Sequence, residues 1–394
     1  MTWQPEVDEL KQRQEFAAQL GGERGIAEQR KRGKLTVRER IDALADPGSF
    51  REFAGLVGSG EYNDNHELVG FTPKGAVDGF CTLDGRRAVI NGGDFTVRGG
   101  SGSAGGGGLG MEPRASERAL EALVPYIRLL DSAGGSVRGF ESLGRTYLPD
   151  GNSYTQLDVQ LLRKVPMVSA VLGSVAGLPA VDACISHFNI MVKGISQLFP
   201  GGPPVVKAAL GYDITKEDLG GEQIHVYESG VVDNLADTEE EAFEQIRQFL
   251  SYLPSNIWEL PPYIEPTDDP ERREESLLSL VPRDTRRPYD AHDAIEAVVD
   301  EGSFFEIAPH YARSRITGLA RVNGYPVGIM ANNKKVMGGT TDVAAGDKVI
   351  RFIGLCDTFH LPLISFADEP GFMVGLEQEK RGIERAGARL VIAT

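Results

Sequence analysis

The chain carries little positive charge with which to hold a polyanion. Lysine and arginine number 41 against 57 aspartates and glutamates, a net charge of −16 over 394 residues. Nucleic acid binding needs a basic footprint, so nucleic acid is excluded as the main partner. Cysteine is scarce: Cys81, Cys184 and Cys356 lie far apart, an odd count without metal-ligand spacing. That excludes a disulfide framework and leaves three small residues suited to a reducing compartment. No apolar run has the length of a membrane span, and the opening MTWQPEVDELKQRQ lacks a signal-peptide pattern. A soluble, cytoplasmic protein is expected. The usual catalytic signatures are missing too. His66, His187, His225, His292, His310 and His360 form no HxxxH or HExxH pair, no serine sits in GxSxG, and no P-loop lysine follows a glycine string. No metal is expected. The run Gly99–Gly110 (GGSGSAGGGGLG) contains GxGxxG only because glycine is nearly everywhere in it, so it is not read as a dinucleotide loop.

What the chain does have is a repeat. Arg40–Phe53 (RIDALADPGSFREF) returns as Ala294–Ile307 (AIEAVVDEGSFFEI). Gly79–Gly100 returns as Gly318–Gly339, and Val124–Gly135 (VPYIRLLDSAGG) as Leu361–Phe372 (LPLISFADEPGF). Blocks in one order at similar offsets mean two similar domains in tandem. The first copy runs far beyond Asp131, whereas little sequence follows Asp368, so the second domain is expected to be incomplete. The expected boundaries are a first domain over 1–255, a proline-rich linker over 256–290 and a partial second domain over 291–394. Seven prolines between Pro254 and Pro288 mark the linker, and Trp258, Leu260, Tyr263 and Ile264 suggest that it lies on a surface.

Apolar spacing predicts helices from about 5 to 44, broken at Gly21-Gly22. Asp84-Gly85 and its counterpart Asn323-Gly324, each between β-prone runs, predict hairpins. A helix and a buried strand follow each: Ala115–Leu123 with Tyr126–Leu130, and Val343–Thr358 with Leu363–Ala367. The first copy continues with a helix over Gln156–Arg163, a strand over Met167–Leu172 and a glycine turn over Gly173–Gly177. This alternation indicates an α/β sheet with helices outside. The helix 237–253 reads as a solvated acidic face, and His187 and His225 as structural.

The strand Met167–Leu172 runs into Gly173-Ser174-Val175-Ala176-Gly177-Leu178-Pro179. Small residues there either make a tight turn or let a ligand press against backbone N–H groups, which suits an enolate or tetrahedral oxygen. Asp131 and Asp368 begin turns of the same type, each a cap, a turn former or a catalytic group.

At this point a family resemblance is plain. KRGKLTVRERIDALADPGSF (31–50), LLDSAGGS (129–136), VLGSVAGLP (171–179), FNIMVKGISQLFPGGPPVVKAALGYDITKEDLGG (188–221), LSYLPSN (250–256) and ADEPGFMVGLEQEKRGIERAGARL (367–390) resemble the carboxyltransferase (β-type) subunits of biotin-dependent acyl-CoA carboxylases. The resemblance implies tandem crotonase-like (ClpP/crotonase) domains. It implies carboxyl transfer from carboxybiotin to the α-carbon of an acyl-CoA through an enolate, with biotin's ring as base and backbone oxyanion holes as catalysts. That accounts for the missing histidine and carboxylate sets. By motif, Gly177 and Leu178 supply the thioester oxyanion hole. Gly134, Gly135 and Ser136 line the acyl-CoA side, with Arg98, Gly99 and Gly100 near the CoA phosphates. Gly371, Phe372 and Met373 line the biotin side.

Two departures stand out: the family commonly has two glycines where this chain has Gly177-Leu178, and FESLGRTYLPDG (140–151) is unlike its pattern. No Met-Lys-Met biotin attachment motif is present, so biotin is expected on a separate carrier. The implied partners are a biotin carboxylase, a biotin carboxyl carrier subunit, further copies of this chain as a dimer or hexamer, and a chain supplying the rest of the second domain. The alternatives are a decarboxylase subunit running the chemistry backwards, a non-catalytic CoA-binding scaffold, and a CoA hydratase or hydrolase using Asp131 or Glu141.

Overall fold

The computed structural model describes residues 2–100, 114–135 and 151–394, except Pro270, Thr285 and the side chains of 151–155. Ser136, Glu141 and most of the Gly99–Gly110 run fall outside these. The chain forms two compact units: Met1–His225 with Leu235–Ile246, and Val226–Asn234 with Arg247–Thr394.

The first unit holds a seven-stranded sheet in the order Arg51–Phe53, Ala76–Leu83, Arg86–Gly93, Tyr126–Leu130, Met167–Val171, Phe188–Val192, Asn234–Ala236. The first three strands run antiparallel, and those from Arg86–Gly93 to Phe188–Val192 are parallel neighbours. Tyr126–Leu130, Met167–Val171 and Phe188–Val192 are buried at every position, as parallel strands covered on both faces must be. Ala115 and Ala119 of one helix and Leu161 of another pack on Val89, Tyr126 and Met167.

The second unit repeats the pattern with Phe305–Ile307, Arg315–Val322, Tyr325–Asn332 and Leu363–Phe366: antiparallel, antiparallel, parallel. The tandem α/β repeat expected from the sequence is therefore present, and its shared residues have a physical reason. The Asp46 carboxylate accepts the amides of Asp84 and Gly85 at 2.9 Å each. Asp300 accepts those of Asn323 and Gly324 at 2.7 Å each. Both hairpin turns have positive φ at two positions, 50° and 79° in each, which Asp-Gly and Asn-Gly tolerate. The rings of Phe50 and Phe304 lie where a Cβ on Gly79 or Gly318 would sit. The D-x-G-S-F motif is thus a clamp on a hairpin. Replacing Asp300 by alanine should cost the second unit about 1.5–3 kcal/mol, read by urea unfolding, because two amides lose a charged acceptor.

Local differences from the sequence reading have identifiable causes. The N-terminal helical region is three helices, Gln4–Ala18, Gly22–Lys31 and Val37–Leu44. The second break was signalled by Thr36 and Glu39, which form a capping box. The helix Glu239–Ser251 is not a solvated face: Ala242, Phe243, Ile246, Phe249 and even Glu239 are buried. The proline-rich segment is fastened to the second unit's hairpin, with the Ile264 amide 3.1 Å from Gly324 O and the Tyr263 ring 4.9 Å from that of Tyr325. Among the described residues, no helix is long and apolar enough to cross a membrane.

Candidate functional site

The site rests on a buried ionic quartet in the first unit. Asp131 ends the strand Tyr126–Leu130, with its side chain fully buried. Lys34 Nζ lies 2.9 and 2.7 Å from its two oxygens, Gln29 Nε2 2.9 Å and Arg40 Nη1 3.0 Å from Oδ2. Arg40, also fully buried, reaches Glu239 Oε2 at 2.5 Å and donates to Leu172 O at 2.7 Å. Glu239 further accepts the Leu35 amide at 3.0 Å. Two cations meet two anions, with bonds to spare for each carboxylate. Asp131 is thus a buried anchor, neither cap nor catalytic acid. Burial pulls the Lys34 pKa down, with the Asp131 carboxylate acting against it. Burial also works to lower Arg40, but Asp131 and Glu239 outweigh it and its pKa is raised. A Cβ on Gly173 would overlap the Asp131 carboxylate, which is why glycine follows Leu172. The quartet ties two strand ends, Leu172-Gly173 and Asp131-Ser132, into one rigid edge.

Three segments meet at that edge. Ala133 N–H donates to Gly99 O at 2.9 Å, Ser132 Oγ to Gly100 O at 2.8 Å, and Ala176 N–H to Ser132 O at 3.0 Å. Arg98, Gly99 and Gly100 have φ of 51°, 70° and 68°, Gly134 has 80° and Gly177 has 73°. A Cβ on Gly134 would stand 2.5 Å from Ala176 O, and one on Gly100 2.5 Å from Asp131 O. Of the sequence-derived site residues, the fold brings together Arg98, Gly99, Gly100, Gly134, Gly135, Gly177 and Leu178 in one glycine-lined cradle.

The amides of that cradle are not equivalent. Gly177 N–H donates to Phe199 O at 3.1 Å, at the end of a short parallel ladder between Ser174–Ala176 and Gln197–Phe199. Pro179 has no N–H, and Ala180 N–H turns back to Gly177 O at 3.0 Å. The turn therefore presents the Leu178 amide, which has no acceptor among the described residues. The Gly135 amide across the cradle has none either. The sequence pointed to this turn but not to the strand that occupies Gly177.

The second unit holds Gly371, Phe372 and Met373 in a comparable turn. Thr341 N–H donates to Gly371 O at 3.2 Å and Met373 N–H to Thr341 O at 3.0 Å. Glu369 organises it: one carboxylate oxygen accepts the Gly371 amide at 3.0 Å, while the other takes Asn332 Nδ2 at 3.0 Å, Thr341 Oγ1 at 3.1 Å and Arg315. Burial works to raise its pKa, but these donors and Arg315 outweigh it, leaving it lowered. Asp368 pairs with Lys334 at 3.0 Å and Tyr289 Oη at 3.0 Å. Nearby, His292 bridges Asp290 at 2.7 Å and Glu306 at 2.9 Å, and the Glu306 hydrogen bond leads in raising its pKa to about 9. A histidine whose pKa is raised on folding stabilises fully below its unfolded value near 6.5, and that stabilisation is lost as pH rises through about 9. Urea midpoints between those limits should fall with pH, and less steeply in His292→Gln. Among the described residues, no group of three or more histidine, cysteine, aspartate or glutamate side chains is arranged to hold a metal.

With this geometry defined, comparison with known proteins is direct. The carboxyl transferase domain model matches residues 28–394, and the chain belongs to that family. It is an enzyme of acyl-CoA carboxyl transfer, with the tandem crotonase-like fold. The propionyl-CoA carboxylase carboxyltransferase subunit of Haloferax mediterranei is 40% identical over 396 residues, covering 100% of this chain and 75% of its own. The methylmalonyl-CoA decarboxylase subunit alpha of Veillonella parvula is 37% identical, covering 95% of this chain and 72% of its own. A solved transcarboxylase 12S hexamer with methylmalonyl-CoA and methylmalonic acid bound superposes with a TM-score of 0.88 at 32% identity, covering 100% of this chain and 76% of its own.

Proposed function

We propose that the cradle of the first unit binds an acyl-CoA and holds the enolate oxygen of its thioester on the amides of Leu178 and Gly135. The observation that carries this reading is a pair of amides without acceptors among the described residues, in a cradle pared down to glycine. Such donors act where charge develops, and each is worth about 10²–10³-fold in rate. Arg98 with Gly99 and Gly100 meets the CoA phosphates, and Gly134 and Ser136 line the acyl-CoA side. Gly177 holds the turn rather than the oxygen. Gly371, Phe372 and Met373 receive the biotin ring.

Biotin, on a separate carrier protein charged by a biotin carboxylase, supplies the carboxyl group and the base when bound. The residues of this chain fit that division of labour: backbone donors line the cradle, and its buried carboxylate, Asp131, is fully engaged by Lys34, Arg40 and Gln29. The same pairing removes Asp131 as the acid a hydratase would need. Assembly as a hexamer and a cytoplasmic location complete the reading.

Methylmalonyl-CoA and free biotin test it. Biotin-dependent loss of the carboxyl group, together with CoA binding by calorimetry, is expected. CoA binding without turnover on any acyl-CoA would leave only a scaffold. The relationship to the Veillonella subunit supports a second reading, in which decarboxylation is the working direction. Initial rates measured from both sides of the reaction distinguish the two.

A further inference from the structure

We propose that Asn323 is a site of spontaneous deamidation that the fold of the second unit holds closed, with Asp300 as the latch. The reaction needs only what an Asn-Gly pair carries. The backbone nitrogen of Gly324 attacks Cγ of Asn323 and forms a five-membered succinimide. The bond from Cγ to the carboxamide nitrogen breaks, and that nitrogen leaves as ammonia with the proton from Gly324. Water then opens the ring at either carbonyl, giving aspartate or isoaspartate. Glycine in the second position leaves the attacking nitrogen unhindered by a side chain.

The chain holds two such pairs, in unlike settings. Asn91-Gly92 lies inside the strand Arg86–Gly93, laddered to Asp78 and Val77 on one side and to Arg128 and Leu129 on the other. Its carboxamide also donates to Asp78 Oδ1 at 2.6 Å. Asn323 instead sits exposed at a hairpin turn with φ of 50°, and its carboxamide has no partner among the described residues. The restraint lies on Gly324. Its N–H donates to Asp300 Oδ2 at 2.7 Å, and an anion beside that N–H opposes loss of the proton, the step that makes the nitrogen a nucleophile. Its carbonyl accepts the Ile264 amide at 3.1 Å and Arg321 Nη1 at 3.0 Å, and a Cβ here would stand 2.0 Å from Ile264 O. Held at its nitrogen and at its carbonyl, Gly324 cannot swing toward the carboxamide. Once made, the product breaks the latch. Aspartate at this position sets a second carboxylate beside Asp300, and isoaspartate adds a carbon to the backbone of a two-residue turn that fixes the register of the hairpin.

Peptide mapping by mass spectrometry, after incubation in mildly alkaline buffer, follows both pairs in one experiment. In the folded wild type Asn323 should deamidate about ten- to hundredfold more slowly than in urea, the protection that one hydrogen bond to a charged acceptor gives. Asp300→Ala should raise the folded-state rate by a similar factor. Asp300→Asn keeps the size and a neutral acceptor and should fall between. His292→Gln loosens the second unit elsewhere and should leave Asn323 near its wild-type rate, while Asn91 should keep its wild-type rate in all three variants. Circular dichroism at the incubation temperature shows which variants are folded; should Asp300→Ala not fold, Asp300→Asn against His292→Gln decides. Deamidation of Asn323 as fast in the folded wild type as in urea overturns the proposal. So does an acceleration in His292→Gln as large as in the folded Asp300 variants, which would make general loosening of the unit, and not the latch, the control.

Discussion

Arg40→Met should destabilise the first unit by about 3–5 kcal/mol, the cost of removing one partner from a buried ion pair. The arginine is fully buried and touches three groups at once: Asp131, Glu239 and the carbonyl of Leu172. Methionine fills much of the volume but, among the described residues, leaves Glu239 with only the Leu35 amide and Asp131 with Lys34 and Gln29. The four-charge cluster then carries a net negative charge in a site without water access. Arg40→Lys should recover part of the loss, because it restores the charge but not the fork that spans two carboxylates. Urea unfolding gives the stability. CoA affinity in the folded variant reports a separate consequence, since Leu172-Gly173 and Asp131-Ser132 carry the cradle. A loss below about 1 kcal/mol would mean that water or a neighbour already compensates the cluster, contrary to the burial described.

Gly134→Ala should abolish most activity at a smaller cost in stability. Its φ of 80° strains any side chain, worth about 1–2 kcal/mol. The larger effect is geometric: the new Cβ would sit 2.5 Å from Ala176 O, on the segment that leads to the Leu178 amide. If the two amides share the enolate oxygen as proposed, separating them by even a few tenths of an ångström takes one donor out of its reach. A fall in turnover of about 10²–10³-fold is expected. Gly48→Ala is the control. Its φ is 68° but nothing lies within 4 Å of the added carbon, so it carries the strain without the displacement. It should lose comparable stability and keep its activity. Equal loss of activity in both variants would assign the effect to strain alone.

Much of this was legible in the chain. The repeat was, because the clamp on each hairpin needs an aspartate, a positive-φ turn and a glycine beneath a phenylalanine, and those demands recur at fixed spacing. The buried parallel strands were, as uninterrupted apolar runs. The turn at Gly173–Leu178 was, from its small residues and the family motif. The quartet was not. Lys34, Arg40 and Glu239 sit in stretches patterned for solvent, and only the distances between distant segments, 97, 91 and 199 residues apart, reveal that they pair. Nor could local reading show that Phe199 O would take the Gly177 amide.

The division has one physical reason. Hairpins, caps and buried strands depend on neighbours close in sequence, so their residues announce them: Asp84-Gly85, Thr36 with Glu39, Met167–Val171. Which amide stays open, and which carboxylate is neutralised, depends on what the folded chain brings alongside from far away. Sequence alone determined the tandem architecture and the place of the cradle. Tertiary structure decided that Phe199 O takes the Gly177 amide while the Leu178 amide has no acceptor among the described residues, and that Lys34, Arg40 and Gln29 hold Asp131 beneath the turn.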